Sequence, residues 1–261
     1  MRLLDRLRGR SLPDSVEIAT DVGALLYPAN CQMITPEVAR EGRWDPWDAE
    51  ALKKELRPGM HVLNLGAHIG YFALLAAREV GPDGKVTAIE AEPSNFALLQ
   101  ENMRRSTLDN VQVVHGAVSD HLGTLAMSLS PTNTGDHRAY RYDGATGTVS
   151  VPAVTVDAVL GQAEQVDFVF ADIQGTEHVA MRGMSDMVER CHPPMLLEFW
   201  PQGIREFGDD PAGVLRTYRD LGYVLDVVGR NVGTDATEQE LIAAAEPDGP
   251  GGFGTLLLRP V

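Results

Sequence analysis

The run Val62-Leu63-Asn64-Leu65-Gly66-Ala67-His68-Ile69-Gly70-Tyr71-Phe72 sets an apolar strand against a glycine turn, and Ile89-Glu90-Ala91 puts a carboxylate at the end of the next apolar run. In an open α/β sheet, ligands sit beyond the carboxyl ends of the strands, so a loop there must let a ligand approach its backbone closely. Gly66 and Gly70 supply that freedom. Their G-x-x-x-G spacing lacks the G-x-G-x-x-G arrangement that seats a pyrophosphate on a helix N-terminus. A dinucleotide is therefore disfavoured and a phosphate-free adenosine cofactor, S-adenosylmethionine, is favoured. Glu90 lies about twenty positions past Gly70, at a strand end where one carboxylate can accept from both ribose hydroxyls. Asn64, Ala67, His68, Tyr71, Phe72 and Ala91 complete the loop side of this candidate pocket. Ala117 and Val118, past a third strand, offer backbone groups to an adenine, with Ser119 or Asp120 reaching its amino group. On these residues alone a plainer alternative stays open: the glycines only turn the chain and Glu90 is a surface carboxylate.

Methyl transfer from a sulfonium is an in-line displacement, which needs a nucleophile held about 3 Å from the methyl and a group to take its proton. Residues at the ends of further strands are the candidates. Asp172 closes the fourth strand, and Glu198 ends the fifth within Leu196-Leu197-Glu198-Phe199-Trp200, an apolar setting for a charge. Glu177 falls in the first turn of the helix after Asp172, where it serves equally as a dipole partner or a substrate-side carboxylate. His137 lies in a polar loop from which it could swing over the site as a general base, with an ordinary pKa of about 6.5. His68 either shapes the cofactor pocket or faces solvent, and His115, His121 and His192 are read as structural. Hard carboxylate oxygens suit a divalent metal, but no Asp-Asp or Asp-Asn pair follows Asp172, where Ile173 and Gln174 stand, so a metal is not favoured and no metal ligands are assigned.

The elements that must hold these residues follow from periodicity. His61–Leu65 reads as a first strand, Tyr71–Val80 as a helix, Lys85–Glu90 as a second strand, and 94–105 as a helix capped by Ser94. Val111–His115, 166–172 and Met195–Phe199 are further strands, with helices over 176–189 and 212–221. Residues 223–228 and 254–258 form a closing antiparallel pair, which predicts a mostly parallel seven-stranded sheet with an antiparallel last strand. The polar stretch 124–154 predicts a hairpin interrupted by a mobile loop at 133–141. Residues 1–60 form an N-terminal extension that caps the site, with Trp44 and Trp47 covering the sheet, and residues 61–261 form the cofactor-binding domain.

Composition narrows the partners. A formal net charge of −15 repels phosphate backbones and anionic membrane faces, so neither nucleic acid nor a membrane is expected as a partner. Cys31 and Cys191 show no metal-ligand spacing and no disulfide framework, as expected of free thiols in a reducing cytosol. The basic, apolar start at residues 1–8 is interrupted by Asp5, Arg6 and Arg8 and reads as a short amphipathic helix, and no apolar run approaches the ~18 residues of a membrane span. A soluble, cytoplasmic protein is expected, acting on a small-molecule acceptor, with a homodimer left open.

The run 57–101 resembles the FkbM-type methyltransferases. Their Pro-Gly, Gly-Ala-x-x-Gly-Tyr, acidic strand end, Pro and Phe-x-x-Leu-x-x-Asn pattern is matched by Pro58-Gly59, Gly66-Ala67-His68-Ile69-Gly70-Tyr71, Glu90, Pro93, Phe96, Leu99 and Asn102. Asp172-Ile173-Gln174-Gly175-Thr176-Glu177 matches a second family pattern, D-[VI]-[EQ]-G-x-E, with Asn133-Thr134-Gly135 between the two. The resemblance implies a Rossmann-like class I methyltransferase sandwich. It also implies a transferase using S-adenosylmethionine, with O-methylation of a hydroxyl on a small natural product or sugar as the leading expectation and an amine as a secondary target. Asn64 stands where the family usually has Asp, which keeps an acceptor but loses a charge and predicts weaker cofactor binding. Asp45 stands where the family commonly has Glu. Two other functions compete: an NAD(P)-dependent oxidoreductase, disfavoured by the incomplete glycine fingerprint and the lack of a Tyr-x-x-x-Lys pair, and a non-catalytic cofactor-binding protein of the same fold. An aromatic wall of Trp44, Trp47, Phe199 and Trp200 is expected beside the acceptor.

Overall fold

The computed structural model describes residues 12–162, 164–247, 249 and 251–261, so the amphipathic helix expected at residues 1–8 lies outside them. A hairpin of β1 (Ser15–Thr20) and β2 (Gly23–Pro28) comes first, followed by α1 (Ile34–Glu41) and α2 (Pro46–Glu55). Asp45 starts α2 by accepting from the Asp48 N–H at 3.1 Å, with Pro46 in the first turn, where its missing N–H costs nothing. Next come β3 (His61–Leu65), α3 (Tyr71–Val80), β4 (Lys85–Glu90), α4 (Pro93–Arg105), β5 (Val111–His115) and β6 (Ala117–Val118). The hairpin β7 (Gly123–Leu129) and β8 (Gly147–Val154) leads into α5 (Val156–Leu160), β9 (Phe168–Ala171), α6 (Glu177–Arg182), α7 (Ser185–Cys191) and β10 (Met195–Phe199). The chain closes with α8 (Pro201–Phe207), α9 (Pro211–Asp220), β11 (Tyr223–Val227), α10 (Glu238–Ala245) and β12 (Gly254–Pro260).

Seven strands form the main sheet in the order β11-β12-β10-β9-β3-β4-β5, and β12 runs antiparallel to both of its neighbours. This is the expected class I methyltransferase architecture. All five residues of β3 are buried because helices cover both faces of a parallel strand. Leu63 and Leu65 face a core shared with α6, α7 and α9, while Val62 faces a second core shared with α1–α4. The chain winds one way from β3 to β5 and then returns to the other side of β3 at β9, so the strand order reverses between β3 and β9. A crevice opens at the carboxyl end of such a switch point.

Three local expectations need correction. Glu92, not Ser94, caps α4: its carboxylate accepts from the Ser94 and Asn95 N–H groups at 2.7 Å each, because Pro93 takes the first helical position and puts the cap two residues upstream. The helix expected over 176–189 is two helices, because Gly183 packs so tightly on Ser119 that a Cβ there would lie 1.9 Å from the Ser119 oxygen. Asp157 then starts the second piece by accepting from the Asp186 and Met187 N–H groups. The 124–154 hairpin forms, joined by β6 into a separate three-stranded sheet. Its loop is fastened rather than free: Arg138 and Ser128 exchange backbone hydrogen bonds at 2.8 and 3.0 Å, and the Asn95 amide donates to the Thr134 carbonyl at 2.8 Å. Among the described residues, no helix is long and apolar enough to cross a membrane.

Candidate active site

At the switch point lies a cleft of about 430 Å³, bounded by the ends of β3, β4, β9 and β10, by the start of α2, and by the β7–β8 loop. Its first half is made by backbone. Gly66, with φ 79°, crosses the loop after β9 so closely that a Cβ would sit 1.9 Å from the Asp172 carbonyl oxygen, and only glycine meets both conditions. The Gly66 and Ala67 N–H groups donate to the Ile89 carbonyl at 3.0 and 2.9 Å, which ties the loop to the end of β4. His68 (φ 49°) turns its N–H onto Glu90 Oε2, and the Glu92 N–H donates to Oε1, both at 2.8 Å. The Glu90 oxygens are thus held by backbone donors, with the Ala91 N–H adding to those of His68 and Glu92, and lone-pair capacity is left for a ligand. Burial is the main cause that pushes the Glu90 carboxyl up to about 7, against the pull of those N–H groups.

The cleft wall contains Gly66, Ala67, His68, Tyr71, Phe72, Glu90, Ala91, Ala117, Val118 and Asp172, all expected there from sequence. The His68 ring meets Thr134 Oγ1 at 3.0 Å, and burial drives its pKa down to about 3, so the ring is neutral. The Tyr71 hydroxyl donates to Asp21 at 2.8 Å, anchoring the N-terminal hairpin to the loop. Two expected cofactor contacts stand elsewhere. Gly70 is not among the lining residues; a Cβ there would lie 2.6 Å from Met103 and 2.8 Å from Leu99, so its smallness lets α3 and α4 approach. Asn64 is 1% exposed in the middle of β3, on the Val62 face, because side chains alternate along a strand; neither of its amide atoms has a partner. Asp120, expected near an adenine, pairs instead with Arg182 at 3.1 Å and His121 at 2.8 Å.

The second half of the cleft is made by side chains from separate segments. Asp172 and Glu198, from the ends of β9 and β10, both line it. Gln174 Nε2 donates to Asp172 Oδ1 at 2.6 Å and lies 3.3 and 3.2 Å from the two Glu198 oxygens. Gln174 is held at φ 58°, a left-handed conformation that costs a non-glycine residue roughly 1–2 kcal/mol. Gly175 follows at φ 87° and packs against Gly203 of α8. Burial, with Asp45 and Asp136 adding to it, raises the Asp172 carboxyl to about 6. Glu198 is pushed well above the usual carboxylate range by burial and then by the charge of Asp172. Asp48, bonded to Thr255 Oγ1 at 2.7 Å, rises to about 7 through burial and its neighbour Asp45.

Glu177 is not among the lining residues. It is 3% exposed and accepts from the Ile173 N–H at 2.7 Å, so it braces the loop from behind, with burial lifting it to about 8. His137 does line the cleft, but its Nδ1 accepts from the Ser130 N–H at 3.0 Å and burial lowers its pKa. A neutral ring in that state presents Nε2–H, a donor, rather than a base. The expected aromatic wall is half present. Trp44 and Trp200 line the cleft, Phe199 is buried in the core, and Trp47 is 76% exposed. Arg138, which sequence did not single out, lies 4.3 Å from the Trp200 ring and 3.8 Å from that of Tyr142, and pairs with Asp136 at 2.9 Å and Glu206 at 2.7 Å. Gln174 and Asp48 were also missed; the second could have been found from the Asp45-Pro46-Trp47-Asp48 helix start. Among the described residues, no group of three or more His, Cys, Asp or Glu is arranged to hold a metal ion.

Residues 64–225, which carry both glycine motifs and Glu90, Asp172 and Glu198, match the family described as the Methyltransferase FkbM domain. The chain belongs to this family. Outside it, an arsenite methyltransferase of Halobacterium salinarum is 28% identical over 123 residues, covering 43% of this chain and 32% of that protein. A protein-L-isoaspartate O-methyltransferase of Triticum aestivum is 42% identical over 57 residues, 22% of this chain and 25% of that protein. The chain thus spans a third or less of the length of these two curated relatives. The solved structure of Trm5b from Pyrococcus abyssi superposes with a TM-score of 0.50 over 97% of this chain and 57% of that one, at 13% identity, a likeness of fold.

Proposed function

We propose that this FkbM-domain chain is an S-adenosylmethionine-dependent methyltransferase that acts on a hydroxyl of a small-molecule natural product or sugar in the cytoplasm. The observation that carries the reading is one cleft with two unlike ends: a backbone loop closed onto a buried Glu90, and a cluster of side-chain carboxyls around Asp172 and Glu198. The first end fits the cofactor. Glu90 keeps lone-pair capacity for a ribose hydroxyl, and Ala117, Val118 and Met127 give an apolar seat for an adenine. Bound there, S-adenosylmethionine would supply an electrophilic methyl group. At the second end, Asp172 and Glu198 are the groups available to take a proton from an acceptor hydroxyl, and burial raises the affinity of both for protons above the usual carboxylate range. Trp44 and Trp200 offer flat apolar surface beside them.

Calorimetry on the full chain tests the cofactor. S-adenosylmethionine and S-adenosylhomocysteine should bind and NADH should not. Tight NADH binding with no response to the sulfonium would overturn the proposal. Asp172→Ala should leave cofactor binding largely intact while abolishing turnover on a true acceptor, and an unchanged rate would remove Asp172 from the chemistry.

A further inference from the structure

The turn Ile173-Gln174-Gly175 folds the Gln174 amide back over the strand ends, with two consecutive residues in the left-handed region. An amide nitrogen carries two N–H groups, and here each has a carboxyl to donate to: Asp172 at 2.6 Å and Glu198 at 3.2 Å. One amide nitrogen thus brings the two carboxyls beside each other, where the charge of one makes ionisation of the other harder, so the first proton to leave the pair leaves more readily than the second. Other acidic groups face the pair from every packed element: Asp45 and Asp48 from the start of α2, Asp136 from the β7–β8 loop, and Glu177 from α6. Arg138, the one Arg or Lys among the described residues lining the cleft, is committed to Asp136 and Glu206. With so many carboxyls close together and no free cation, the pair would be driven towards full protonation, and a fully protonated pair is no base. The Gln174 donors oppose that drive because they stabilise the ionised member.

We propose that Gln174 is a positioning residue that clasps Asp172 and Glu198 into a pair sharing a single proton, and that this pair is the base at the acceptor end of the cleft. The base role rests on the methyl-transfer reading above. In that step the ionised carboxylate of the pair takes the proton of the acceptor hydroxyl while the acceptor oxygen forms its bond to the methyl carbon. The carbon–sulfur bond breaks with its electron pair left on sulfur, so the sulfonium becomes a neutral thioether. The pair ends doubly protonated and returns one proton to solvent as product leaves.

The test is a carbon-13 NMR titration of the full chain labelled at the Asp and Glu side-chain carboxyls, with Asp172→Asn and Glu198→Gln assigning the two resonances. In the unaltered protein both resonances should move in two shared steps separated by more than about one pH unit. Gln174→Met, of similar volume but unable to donate, should raise the lower step by about one unit, roughly a tenfold weaker acid. Glu198→Gln should reduce Asp172 to a single step at lower pH. Independent single steps for Asp172 and Glu198 in the unaltered protein would overturn the proposal without any variant, as would a folded Gln174→Met whose lower step stays in place. If Gln174→Met does not fold, the unaltered protein and Glu198→Gln decide. Calorimetry with S-adenosylmethionine on the same sample separates the two readings: normal binding with independent titration removes the clasp alone, whereas shared titration without binding removes the base role with the methyl-transfer reading.

Discussion

The two ends of the cleft hold their carboxyl groups in opposite ways. At the cofactor end, Glu90 takes one backbone N–H on each oxygen, from His68 and Glu92, and those donors are fixed by the fold. At the acceptor end, Asp172 and Glu198 face each other and share one side-chain amide, with further carboxyls behind them. A carboxylate held by backbone keeps its place whatever its protonation, so the cofactor end is a rigid fixture. Two carboxyls gathered on one side-chain amide titrate together, so the acceptor end changes its bonding as its proton count changes.

The hardest way to break the contrast is to remove the crossing beneath both ends. Gly66→Ala would force a Cβ to within 1.9 Å of the Asp172 carbonyl and impose φ 79° on an alanine. A loss of about 3 kcal/mol or more in urea unfolding is expected, together with loss of S-adenosylhomocysteine binding. A wild-type midpoint would show that the two loops do not depend on each other. Next in size is Glu90→Ala. It leaves the His68 and Glu92 N–H groups without their acceptor at a cost of about 1–3 kcal/mol each when buried, so stability should fall by a few kcal/mol at most. Cofactor affinity should fall by about tenfold or more. Retained affinity by calorimetry would take the ribose away from Glu90.

How much of this was legible in the sequence follows the same division. The cofactor end comes from two consecutive strand–loop–helix units, where a strand's apolar run, the glycines and Glu90 lie within one short stretch, so periodicity and spacing place them together. Even there, Asn64 and Gly70 stand outside the cleft lining, because a motif gives positions along the chain and not which face a strand or helix start presents. The acceptor end gathers Asp48, Asp136, Arg138, Gln174 and Glu198 from separate segments, and nothing local announces that they meet. Gln174 was hidden for a further reason: its left-handed backbone, which aims the amide, is a property that glutamine does not advertise. The mostly parallel seven-stranded sheet with its antiparallel last strand was legible because alternating strands and helices permit few windings.

A gentler probe is pH. Glu90 and Asp48 rise to about 7, Glu177 to about 8 and Asp172 to about 6, all above the value of about 4 they would have unfolded. The folded chain therefore binds more protons than the unfolded chain between those limits. Their contribution is fully present below about pH 4 and is lost as pH rises through 6 to 8. The ligand-free protein should be more stable at pH 5 than at pH 8 in urea titrations. Glu177→Gln keeps an acceptor for the Ile173 N–H and removes one titrating group, so it should flatten that slope. A slope of the opposite sign would mean that ion-paired carboxylates dominate the pH dependence, and the contrast between the two ends would lose its energetic basis.

The smallest effect is expected at Trp47, which separates the cleft from its surroundings. Its neighbour in sequence, Asp48, is inside the cleft and bonded to Thr255, while Trp47 is 76% exposed and not among the lining residues. One residue of helix turns the side chain by about 100°, enough to carry an aromatic from the wall to the solvent side. Trp47→Ser should therefore change stability by no more than about 0.5 kcal/mol and leave S-adenosylhomocysteine affinity unaltered. The same substitution at Trp200 would remove the ring that stacks on Arg138, so a loss at Trp200 with none at Trp47 is the expected pattern. If instead Trp47→Ser weakens ligand binding in calorimetry, the acceptor end extends over the outer face of α2 and its boundary lies beyond the carboxyl cluster.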